Sequence, residues 1–144
     1  MDITHGKYLG VDYGDKRTGL AECDISGMLA SGICTVREGG MRNTAERVAK
    51  EAESRGCKKI VVGLPRNMDG SEGPRAALYR DFAAQLEAAV GLPVKLWDER
   101  RTTIDAHRIL FESGKNAKKR KKTVDAVAAS LILEGYLTFK KVRG

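Results

Sequence analysis

Several residue types that would mark other kinds of protein are scarce in this 144-residue chain. It has three cysteines, Cys23, Cys34 and Cys57. They are odd in number, far apart and in no metal or redox spacing, which excludes a disulfide framework. They read as small core hydrophobes in a reducing compartment. The two histidines, His5 and His107, lack a cysteine or histidine neighbour at ligand spacing, so zinc is not expected and any metal must be held by carboxylates. No apolar run approaches a membrane span, and Met1-Asp2-Ile3-Thr4-His5 has neither the basic start nor the apolar core of a signal peptide. The expected location is the cytoplasm, with no membrane partner.

At 42% hydrophobic residues, the chain is expected to form one domain over residues 1–144 with a real core. The net charge of +7 is uneven: Lys115, Lys118, Lys119, Arg120, Lys121 and Lys122 form an acid-free run. Such a patch points to a polyanion, although a solvated loop is the default reading of consecutive like charges. No aromatics interleave with it to stack single-stranded bases.

The stretch Tyr8-Leu9-Gly10-Val11-Asp12-Tyr13-Gly14 reads as a central strand over residues 7–13, ending in a carboxylate and a glycine turn. Residues 17–24 and 28–36 read as two further strands joined by a turn at Asp24-Ile25-Ser26-Gly27, which makes an antiparallel meander. A helix is expected from Asn43 or Thr44 to Gly56, with Ala45, Val48, Ala49 and Ala52 on one stripe. Lys58 to Gly63 is a β-branched strand, and a strand–helix–strand order implies parallel pairing. The polar loop Leu64 to Ser71 follows, then a helix over Pro74 to Val90 with Leu78, Phe82, Leu86 and Ala89 inward, and a strand over Pro93 to Trp97. A helix from about Thr102 to Ser113-Gly114 comes next, then the basic run as a loop. Thr123 is expected to cap a last helix whose stripe is Val124, Val127, Leu131 and Gly135.

This order places Asp12 and Glu99 at the carboxyl ends of parallel strands, with Asp125 in the first turn of the last helix. Oxygen ligands of this kind suit Mg²⁺ or Mn²⁺. One such ion, or two about 4 Å apart, would activate a water and stabilise the leaving oxygen of a phosphodiester. Each acid also has a plain reading. Asp125 suits a helix dipole and Glu99 suits an ion pair with Arg100 or Arg101, whereas Asp12 in an apolar strand costs several kcal/mol without a partner. Lys118, Lys119, Arg120, Lys121 and Lys122, with Arg66, Asn67, Lys16, Arg17 and Arg100, are the candidate nucleic-acid contacts. Asn67 is equally explained by turn chemistry, and Lys16 and Arg17 by a solvated hairpin. A strand–turn–strand with Asp-x-Gly also opens nucleotide-binding ATPase folds, but these need a second lobe and the chain has no Walker-type loop. A non-catalytic RNA- or ribosome-binding protein is the remaining alternative.

The blocks LGVDYGDKRTGLAECD, VVGLPRNMDGS, WDERRTT and KKTVDAVAASLILEGYL together resemble the YqgF family of bacterial pre-16S rRNA nucleases, also described as Holliday-junction resolvases. They run from about residue 9 to residue 137. The resemblance implies an α/β ribonuclease H-like fold: a five-stranded mixed sheet, three antiparallel strands then two parallel, flanked by helices. It also implies a divalent-metal endonuclease in which Asp12, Glu99 and Asp125 match the family's acidic positions. The implied role is trimming the 5′ end of precursor 16S rRNA, with four-way DNA as the alternative substrate. Implied partners are structured RNA or branched DNA and ribosomal particles, for a monomer or a homodimer.

Overall fold

The strands assemble around β1 (Tyr8–Asp12), which is buried along its length except at Asp12. The computed structural model describes residues 6–23, 30–66, 69–98 and 117–143. β2 (Thr18–Cys23) and β3 (Ala30–Val36) complete the antiparallel meander, and their register shifts between Leu20 and Ala21. β4 (Lys59–Leu64) and β5 (Val94–Asp98) add on the other side in parallel, giving the order β3-β2-β1-β4-β5. This is the expected five-stranded mixed sheet. The helix expected near residues 102–113 and the turn at 24–27 lie outside the described residues.

Alternation along the strands sorts the helices onto two faces. Leu9, Val11, Ile60 and Val62 face α1 (Met41–Ser54) and α2 (Pro74–Val90), where Val48, Phe82 and Leu86 are fully buried. Tyr8 and Val61 face the opposite way, against Ile132, Leu133 and Tyr136 of α3 (Ala117–Arg143). Tyr136 accepts a hydrogen bond from Lys59 Nζ at 2.9 Å, and Trp97 stands edge-on to its ring. Among the cysteines, Cys23 and Cys57 are buried, and burial pushes the Cys57 thiol up to about 11.

The helices depart from the sequence expectations in four places. α1 starts at Met41 behind Gly40, so Asn43 and Thr44 lie inside it. Their side chains donate backward to Gly39 and Gly40 carbonyls, at 2.7 and 2.9 Å, instead of capping amides. In α2 the inward stripe is Ala76, Tyr79, Phe82, Ala83 and Leu86, while Leu78 is 46% exposed and Ala89 is exposed. Tyr79 takes the place expected for Leu78 because its hydroxyl finds a buried partner, the carbonyl of Tyr13. In α3 the buried stripe is Ala128, Ala129, Ile132, Leu133 and Tyr136, one residue on from Val127, Leu131 and Gly135. The basic run is not a loop where the structure describes it: α3 begins at Ala117, so Lys118 to Lys122 have helical backbone and Thr123 is interior. Lysine and arginine are good helix formers, and like-charge repulsion of about 0.2–0.5 kcal/mol per i,i+4 pair is too small to override that.

Candidate active site at the carboxyl edge of the sheet

Asp12 is the last residue of β1, at the point where the antiparallel hairpin and the parallel pair diverge. The hairpin turn is tight. A Cβ on Gly14 would lie 2.4 Å from the Arg17 carbonyl oxygen, so no side chain fits there. The buried Thr18 hydroxyl braces the turn, accepting from Gly14 N at 3.3 Å and reaching the Gly14 carbonyl at 3.4 Å. This holds the chain after Asp12 close to the strand edge and directs Lys16 and Arg17 into the space beyond it.

Asp125 reaches the same place through a backbone-to-backbone approach. Gly19 is the Cα partner of Asp12 across the β1–β2 ladder. A Cβ on Gly19 would lie 1.9 Å from the Asp125 carbonyl oxygen and 2.2 Å from its carbonyl carbon. Gly10 meets Ala129 and Gly32 meets Ala126 in the same way, so three strands offer glycine to α3. The helix therefore settles into a furrow, with alanines on its contacting face, and Asp125 comes to rest beside the strand pair that carries Asp12.

The two acids share a cavity of about 550 Å³, lined also by Tyr13, Asp15, Lys16, Arg17, Arg37, Arg75 and Tyr79. Arg17 Nε lies 3.0 Å from Asp125 Oδ2. This is an ion pair without hydrogen-bond alignment, since Oδ2 is buried with no hydrogen-bond partner among the described residues. Burial raises the Asp125 carboxyl above its usual 3.8, against the lowering pull of Arg17 and Arg37. A raised carboxyl means that the folded state favours the proton. The resulting stability is fully present below the ordinary value and is lost as pH rises through the folded-state value. Asp125→Asn is therefore expected to raise the melting temperature at pH 7 in EDTA, with the gain shrinking toward pH 4. Thermal melts across that range check it, and a variant less stable than wild type at pH 7 would show that the Arg17 pair outweighs the burial cost.

Among the other residues singled out from sequence, Lys16 and Arg17 line the cavity. Arg66 is not among its lining residues; it pairs with Glu72 at 3.5 Å, beside the tighter Arg80–Glu72 pair at 2.6 Å. The backbone of Lys118, Lys119, Arg120, Lys121 and Lys122 lies in the first turns of α3, on the Asp125 side. Glu99, Arg100 and Asn67 lie outside the described residues. Among the described residues no group of three His, Cys, Asp or Glu side chains could hold a metal. Arg37, Arg75 and Tyr79 were not singled out from sequence. Arg75 carries a signal in hindsight, since a cation directly after Pro74 opposes the dipole of the helix it starts.

The sequence model of the RuvX family, described as Holliday junction resolvase, matches residues 6–139. The chain belongs to the RuvX family. A relative from Halothermothrix orenii is 42% identical over 134 residues, covering 93% of this chain and 96% of that protein. One from Moorella thermoacetica is 46% identical over 134 residues, covering 91% and 94%. Both carry the name "Putative pre-16S rRNA nuclease". RuvX membership places the chain among nucleases that hydrolyse phosphodiester bonds. The structure of Thermus thermophilus RuvC with a Holliday junction substrate is similar in fold, with a TM-score of 0.61 at 16% identity over 96% of this chain and 97% of that one. The fowlpox virus resolvase, solved with junction DNA, gives 0.58 at 13% identity over 93% and 98%. These likenesses place the RuvX chain on the ribonuclease H-like fold, whose nucleases generally use divalent metals. No described helix is long and apolar enough to cross a membrane.

Proposed function

We propose that this chain is a divalent-metal-dependent endonuclease that trims the 5′ end of precursor 16S rRNA in the cytoplasm, during ribosome maturation. One observation carries the reading: Asp12 and Asp125, far apart in sequence, meet in one cation-lined cavity, where Asp125 Oδ2 is buried and, among the described residues, has the Arg17 ion pair but no hydrogen-bond donor. The Arg17 pair offsets part of the cost of burying that charge, and a hard cation or a proton would offset the rest. The donor set is hard oxygen, as Mg²⁺ or Mn²⁺ prefers. The two carboxylates therefore fit such an ion, and Glu99, which follows the last residue of β5, is the third ligand in this reading.

One or two bound ions would supply an activated water and charge stabilisation at the leaving oxygen. The protein's own groups do the rest. Asp12 at the end of β1 and Asp125 on α3 would hold the ion. Arg17 pairs with Asp125, Nε to Oδ2 at 3.0 Å, and offsets its charge beside the cavity. Lys16, Arg100 and the helical lysines and arginine at 118–122, with Arg66 and Asn67 at the loop after β4, attract the flanking backbone without reading sequence.

The family description favours a second substrate, four-way DNA, whose symmetric cleavage would need a two-fold dimer. A cleavage assay with Mg²⁺ or Mn²⁺, comparing RNA bearing the precursor 5′ end with a four-way DNA junction, separates the two. The expected result is cutting of the RNA, for which no dimer is required. Junction cutting by a dimer would transfer the function to the second substrate. RNA binding that is indifferent to EDTA, with neither substrate cut, would leave a non-catalytic binding protein.

A further inference from the structure

The arginines whose side chains are described divide into two groups. Arg42 pairs with Glu46, Arg47 with Glu38 and Glu51, Arg55 with Glu51 and Glu22, Arg66 and Arg80 with Glu72, and Arg17 with Asp125. Arg37 and Arg75 have no carboxylate within ion-pair distance among the described residues, and both line the cavity of Asp12 and Asp125.

Their placement is complementary. Arg37 directly follows β3, on the side that α3 covers, close enough to Asp125 to pull its carboxyl down. Arg75 is the second residue of α2, which covers the opposite face of the sheet. Its guanidinium is fixed by Nη2 donating to the Tyr79 hydroxyl at 2.9 Å and by stacking 5.5 Å from the Tyr79 ring centroid. The Tyr79 hydroxyl in turn donates to the carbonyl of Tyr13, the residue after Asp12. Arg75 is thus held to the strand that bears the central acid, and among the described residues most of its five N–H donors are unspent. A cation in a helix's first turn opposes the dipole, and such local conflicts concentrate at functional sites.

We propose that Arg37 and Arg75 grip the phosphodiester backbone on either side of the phosphate that faces Asp12 and Asp125. The bound strand then crosses the carboxyl edge of the sheet, from the α2 side to the α3 side. The proposal rests on the nuclease reading and adds the path of the strand. Arginine suits the task because its planar fork takes a phosphate through two N–H groups.

The test measures binding in the Asp12→Asn protein, so that no strand is cut, using fluorescence anisotropy over a salt series with RNA bearing the precursor 5′ end. Arg37→Gln and Arg75→Gln should each weaken binding roughly tenfold and flatten the log–log salt slope by about 1. The double variant should lose about 2 in slope, because the sites are separate. Arg75→Lys should keep the slope but not the full affinity. Arg42→Gln, on the exposed flank, should change neither. A four-way DNA junction as probe should give the same pattern, since phosphate contacts carry no sequence information. A fall in melting temperature with affinity and slope unchanged would make the two arginines structural and overturn the grip. Absence of binding to both probes by the Asp12→Asn protein would overturn the nuclease reading and the grip with it. Binding by that protein with unchanged slopes in the arginine variants overturns the grip alone.

Discussion

Asp12→Asn is expected to lower kcat/KM for cleavage by at least about a thousandfold, equivalent to about 4 kcal/mol of transition-state stabilisation. The amide keeps the size of the carboxylate but not its charge. Asp12 ends the central strand and lines the cavity with Asp125, and in the proposed site the two would hold the cation. The effect should fall on cleavage and not on folding, because Asp12 is only partly buried while Leu9 and Val11 carry the core contacts of β1. Circular dichroism and a thermal melt establish the fold, and cleavage is followed with purified protein in Mg²⁺ and in Mn²⁺. Retained cutting by a homogeneous variant would remove Asp12 from the chemistry.

Gly19→Ala should be nearly as damaging to activity, although Gly19 is not among the residues that line the cavity. The added methyl would sit 1.9 Å from the Asp125 carbonyl oxygen and 2.9 Å from the Ala126 amide nitrogen. Both obstacles are backbone, so neither can rotate away and α3 must lift. Overpacking of this kind costs about 1–3 kcal/mol of stability. A displacement near 1 Å at a reacting group can cost about a hundredfold in rate. Gly32→Ala is the graded control, since its nearest obstacle is the Ala126 methyl at 2.9 Å, and it should lose much less. Melting temperatures and cleavage rates measured on the same preparations check the pair. Wild-type rates from a folded Gly19→Ala protein would mean that Asp125 does not depend on this close approach.

Much of the architecture was legible in the residues because the strands are short apolar runs with glycine or polar breaks between them. Tyr8 to Asp12 and Lys59 to Leu64 could be read almost to their ends. Helix faces were harder. The stripe of α2 was misread at Leu78 because hydrophobicity ranks leucine above tyrosine, whereas Tyr79 is drawn inward by a backbone carbonyl that only the folded hairpin presents. The basic run reads as a loop on charge alone, but helix propensity outweighs that repulsion. Within the site, Asp12 was conspicuous as an acid in an apolar strand. Asp125 is suggested only by its company, and its close approach to the strands depends on Gly19, more than a hundred residues earlier. Arg37 and Arg75 look like any surface arginine until the pairing of the others is known.

The order in which the cavity's walls are made has a consequence for when the protein can act. β1 and β2 are adjacent in sequence and α2 follows within the first two thirds of the chain, but the wall that carries Asp125 belongs to the last element. Contacts between α3 and the first two strands span most of the chain and are the slowest kind to close. Half of the acid pair is therefore withheld until the C-terminal helix drops into its furrow. A nascent chain still lacking residue 125 can hold the cations of the early strands, but not the pair of carboxylates on which the proposed site depends.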